Sequence, residues 1–78
     1  MEKEILLNWL NNAYSMELGL IKILEKHKSE AADHFQVVEM IDGHISETEN
    51  QARLVKAEIE RLGGDVSALK AWGAEAFG

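Results

Sequence analysis

Leu6, Leu10, Ala13, Glu17, Leu20 and Leu24 recur at alternating steps of four and three. That spacing is the seam of an amphipathic helix that packs against other helices. Tyr14, Met16, Ile21 and Ile23 flank the stripe. The pattern predicts a first helix from about Lys3 to about Lys28, with Gly19 as its weak point. Lys26-His27-Lys28 puts cations in its last turn, where the helix dipole favours them. Ser29 suits the N-cap of a second helix. Val38, Ile41, Ile45, Thr48, Ala52, Val55, Ile59 and Leu62 form the second seam, which predicts a helix from about Ala31 to Leu62. Gly63-Gly64 then stops it, since glycine takes the left-handed cap conformation at little steric cost. Asp65 or Ser67 is placed to cap a short third helix through Trp72, and the last residues read as a frayed tail or linker. The chain thus divides into a helical hairpin over 1–64 and a short C-terminal helix and tail over 65–78.

The expected fold is all-α. A junction of a few residues joins only neighbours, so the two helices run antiparallel. Each apolar arc is wider than one neighbour covers, and a chain of 78 residues rarely buries enough surface alone. The hairpin is therefore expected to dimerise into a four-helix bundle. The row Trp9, Met16 and Ile23 is expected in a core rather than around a cofactor, while Leu7, Trp9, Ile21, Ile23, Met40 and Leu54 are expected to face water in an isolated hairpin.

Composition narrows the functional classes. The chain has no cysteine, which excludes disulfides, thiolate metal sites and cysteine nucleophiles. A net charge of −6 argues against nucleic acid and anionic membrane as partners. No apolar run is long enough to span a bilayer, and Met-Glu-Lys-Glu does not begin a signal peptide. A cytoplasmic location is the expectation.

Glu17 is the residue that breaks the pattern. An ionised carboxylate on an apolar face costs several kcal/mol unless a cation, a metal or hydrogen-bond donors offset it. With a turn centred at about residue 30.5, Glu17 lies about 13.5 residues before it and His44 about 13.5 after it, so the two are expected at one height. Glu47 is less than a turn from His44. Carboxylate and imidazole together suit iron, manganese or zinc. Glu17, His44 and Glu47 are the candidate ligands, with Gln51 and Tyr14 as hydrogen-bonding neighbours that orient them, Tyr14 being read first as a core residue whose hydroxyl reaches a polar partner. The bland alternative is a structural Glu17–His44 hydrogen bond, with Glu47 on a solvated margin. His27 and His34, near the turn, read as ordinary exposed histidines.

The stretch EMIDGHISETENQARLVKAEIERLGGDVSALK, Glu39 to Lys70, resembles a bacterial ferritin-like family that includes the YciE/YciF-like stress-associated proteins. The carrying motif is H-x-x-E-T at His44 to Thr48, followed by a long amphipathic stretch and a Leu-Gly stop. LNNAYSMELGL, Leu10 to Leu20, resembles the family's first helix, with Glu17 at its acidic position. The resemblance covers roughly residues 4 to 70 and corresponds to the first hairpin, the family continuing into a second. It implies a four-helix bundle around a dinuclear iron or manganese centre, zinc being less suited, with no organic cofactor. The general pattern of such centres is Glu on two helices and Glu-x-x-His on the other two. Here the order is His-x-x-Glu, and Gln51 stands where many relatives are expected to carry histidine. Ferroxidase-like chemistry follows from the resemblance alone, since the sequence holds no catalytic motif. The competing class is a structural or protein-interaction hairpin without metal.

Overall fold

A computed structural model describes residues 2–66 and shows two helices packed as an antiparallel hairpin. Helix α1 spans Lys3–Glu30 and helix α2 spans Phe35–Arg61. The predicted short third helix lies outside the described residues. Among those that are described, no helix is long and apolar enough to cross a membrane.

The turn differs from the sequence expectation. Helix α1 runs past Ser29 to Glu30, and α2 begins at Phe35 rather than near Ala31. Ser29 is therefore helical, and the N-cap of α2 is His34, whose side chain makes no cap hydrogen bond. Backbone groups close the turn instead: the Ala31 amide donates to the His27 carbonyl at 2.9 Å, and the His34 amide to the Ala31 carbonyl at 2.8 Å. With main-chain partners for these amides, a serine cap, typically about 1 kcal/mol, has little to add. Two helical residues past Lys28 also let its ammonium meet Asp42 across the hairpin at 2.7 Å.

The second seam packs as its spacing predicts. Thr48, Ala52 and Ile59 are buried, and Val38, Ile41, Ile45, Val55 and Leu62 are half-buried. Ile59 is 0% exposed and anchors a cluster with Tyr14, Ala52 and Val66, against which Leu7, Leu10, Leu18 and Val55 pack. Helix α1 keeps Leu6, Leu10, Ala13, Glu17 and Leu24 of its predicted seam half-buried but is rotated somewhat from it. It turns Leu7, Leu10, Tyr14 and Leu18 to the core, while Leu20 is exposed. Its apolar arc covers more than half the circumference, so many rotations bury a comparable area and the fit to α2 selects one.

Gly63-Gly64 ends α2 as expected. Gly63 has φ +87°, its amide donates to the Glu60 carbonyl at 3.0 Å, and the Gly64 amide donates to that of Ile59 at 2.9 Å. These are the paired bonds of a Schellman cap. The cap folds the chain back so that Val66 is buried against the hairpin.

Candidate metal centre

The rotation of α1 leaves one face of the hairpin uncovered. Ile5, Trp9, Met16, Leu20 and Ile23 form a continuous stripe on α1 at helical spacing, all exposed. Trp9, Ile23, Met40 and Leu54 face water in the single hairpin as expected, with Trp9 60% and Met16 73% exposed. On α2 the matching row is Val37, Met40, His44, Glu47, Gln51 and Leu54, also exposed. The α2 row lies beside its packed seam, whereas the α1 stripe lies well round the helix from Leu7, Tyr14 and Leu18, about 160° away at a spacing of two residues. Because the helices run antiparallel, the offsets of the two rows open on the same side of the hairpin. The opposite side is polar, with a groove where Glu49, Arg53 and Lys56 flank Tyr14 and Leu18.

Glu17 sits where the packed seam and the open face of α1 meet. The residue is half-buried, and its Oε2 is buried with no hydrogen-bond partner among the described residues. The nearest candidate donor in height does not serve it. Thr48 is 4% exposed, and its hydroxyl donates to the His44 carbonyl at 2.8 Å, one turn back on its own helix. A buried carboxylate oxygen without a donor is costly and uncommon. This orphan is the observation that favours an added cation.

The register corrects the pairing of Glu17 with His44. The turn, Ala31 to His34, centres at about residue 32.5, two residues later than expected. Equal rise then sets Thr48 level with Glu17, and Glu47 one residue off. His44 is level with Ile21, about 6 Å from Glu17 along the axis. His44, Glu47 and Gln51 are all exposed, so the histidine expected on the packed side of α2 faces outward in the single chain. Among the described residues no three His, Asp or Glu side chains come together in a metal-binding group. A single hairpin holds an orphaned carboxylate oxygen, with a second carboxylate level and an imidazole one turn away. Oxygen and imidazole donors of this kind fit iron or manganese, but one chain supplies too few.

Tyr14, the predicted neighbour of Glu17, is in the core at 4% exposure, and Gln51 is on the open row. His27 and His34 are exposed near the turn, as expected. Sequence reasoning missed Asn11, whose side-chain oxygen is also buried without a partner among the described residues. Its position three before Tyr14 and four after Leu7, both packed residues, was the available signal.

Fold and site together define a helical hairpin with one polar-studded apolar face left open. The chain belongs to the family described as a domain of unknown function, DUF892, whose profile matches residues 1–77. Comparison with curated proteins and with solved structures finds no match.

Proposed function

We propose that this chain is a ferritin-like metal-binding module of the cytoplasm, one half of a four-helix bundle akin to the YciE/YciF-like proteins. Two hairpins dock open face to open face, and Glu17, His44 and Glu47 of both copies bind iron or manganese. The observation that carries this reading is the buried, unpartnered Oε2 of Glu17 at the border of the open face. Its support from the rest of the molecule is the row of His44 and Glu47 on the same side, among apolar residues that require a cover.

Within that reading each residue has a task. Glu17 offers a carboxylate with one oxygen, Oε2, already out of water. Glu47 adds a second, and His44 offers an imidazole nitrogen. Gln51, one turn beyond Glu47, and Tyr14, one turn before Glu17, are suited to orient the ligands. A bound iron or manganese supplies one-electron redox chemistry, and the apolar rows around it limit the access of water.

Metal analysis of untagged protein tests the proposal. Stoichiometric iron or manganese is expected, lost in Glu17→Leu and reduced in His44→Ala, while His27→Ala and His34→Ala leave it unchanged. No metal in the untagged protein would favour the structural hairpin instead. Equal losses from all three histidine variants would reduce the binding to loose surface chelation.

A further inference from the structure

We infer that the cation and the second copy bind as one linked event, so that the metal acts as the clasp of the dimer. This rests on the metal-binding reading above and adds a regulation to it: assembly follows the supply of the ion.

The argument begins with where the carboxylates lie along the hairpin. The midpoint of Lys3–Glu30 falls at Glu17, and the midpoint of Phe35–Arg61 at Thr48, beside Glu47. Both acids are therefore at mid-height. A two-fold docking that overlaps the full length of both faces sets mid-height against mid-height, whether its axis runs along the helices or across them. Two copies of Glu17 and two of Glu47 then share one layer. Met16 and Leu20 on α1, with Met40 and Leu54 on α2, bound that layer with apolar side chains.

The face is large enough for the purpose. The molecule measures 48 Å by 22 Å along its two longer axes, so the outline of any one face is at most about 1,000 Å², of the same order as the ~800 Å² per partner of an ordinary stable interface. Its apolar rows favour docking, and its central layer opposes it. Four carboxylates brought together out of water repel one another and lose hydration. The open rows contain no lysine or arginine to offset them. Of the basic groups, Lys28 meets Asp42, Arg61 meets Glu58, and Arg53 and Lys56 line the groove on the other side, so the basic side chain that the open rows themselves carry is the His44 imidazole. Among the described residues the candidate ligands of one hairpin do not converge into a metal-binding group. Two hairpins without the ion confine uncompensated charge. Each event supplies what the other lacks.

Sedimentation equilibrium of the untagged full chain, stripped with EDTA and then given manganese(II), tests the linkage. If the ion binds only the dimer, manganese at about a hundred times its dissociation constant tightens assembly by about a hundredfold. Magnesium at the same concentration leaves the monomer–dimer balance near its EDTA value. Glu17→Gln with Glu47→Gln removes the repulsion and the ligands together. That variant is expected to dimerise at least as tightly as the parent in EDTA and to ignore manganese. Glu47→Gln alone, at a position exposed in the single chain, keeps the comparison available if the double variant loses helicity by circular dichroism. It is expected to weaken the manganese response. Manganese bound with no change in assembly would overturn the linkage while leaving the metal site standing, as would an equal response to magnesium. No manganese bound at all would sink the metal-binding reading with it.

Discussion

Gly63 and Gly64 end the same helix for different physical reasons, and substitution separates them. Gly63 is needed for its positive φ, which costs an L-residue about 1–2 kcal/mol. Gly64 is needed for space. A Cβ there would lie 2.8 Å from Ile59 Cγ2 and 3.1 Å from Leu7 Cδ2, beside the fully buried Ile59. Gly64→Ala should therefore lower stability by about 1–3 kcal/mol, the usual cost of overpacking. Urea unfolding at a fixed protein concentration reads this directly, and an unchanged midpoint would show that Ile59 and Leu7 have room to give. The double glycine was legible in the sequence as a stop. Its second role was not, because it depends on Leu7 arriving from the other helix.

At the scale of one helix, the end of α2 carries a pH dependence of its own. Arg61 Nε donates to both carboxylate oxygens of Glu58 at 3.1 Å, one turn apart on the surface. That hydrogen bond, helped by the guanidinium charge, holds the Glu58 carboxyl below its ordinary value of 4.5. A depressed carboxyl stabilises the folded state above its unfolded pKa and loses that contribution as pH falls through the folded one. Glu58→Gln should therefore fray the last turn of α2 at neutral pH, and the difference from the parent should vanish once acidification passes below the depressed pKa of the folded Glu58 carboxyl. Amide exchange of the last turn across that range is the measurement; a difference that persists in acid would mean that the pair does not hold the turn. The two helices also differed in how far their packing could be read. The seam of α2, from Val38 to Leu62, was visible in its unbroken spacing and packs as such. The broad arc of α1 left its rotation open.

For the whole molecule, the uncovered face is the dominant fact. Met16 and Met40 are 73% and 67% exposed and stand on the two rows that flank the carboxylates. Apolar surface contributes about 25 cal/mol per Å² on burial, so a second hairpin over this face supplies several kcal/mol after ordering costs. Met16→Asp with Met40→Asp places charge in the proposed interface and spares the core of the single hairpin. With manganese present, the parent should sediment as a dimer, and the variant as a helical monomer of about 8.7 kDa. A parent that is itself a well-folded monomer of that mass would remove the dimer, and with it the shared centre.

The sequence by itself determined what is local. Periodicity defined two helices, glycine the stop after the second, a short junction the antiparallel hairpin, and an acid among apolar residues the anomaly at Glu17. These follow from each residue's effect on its own helix. The tertiary structure decided the rest. A turn placed two residues later than its cap signal suggested shifted each residue of α2 by about four against α1, so Thr48 rather than His44 is level with Glu17. The rotation of α1 depended on how Tyr14 and Leu7 fit against Ala52 and Ile59, and no single helix contains that fit. It set Trp9, Met16 and Ile23 outside and left the Glu17 oxygen buried without a donor. Burial and register belong to pairs of elements, and a pattern written along one chain specifies each element separately.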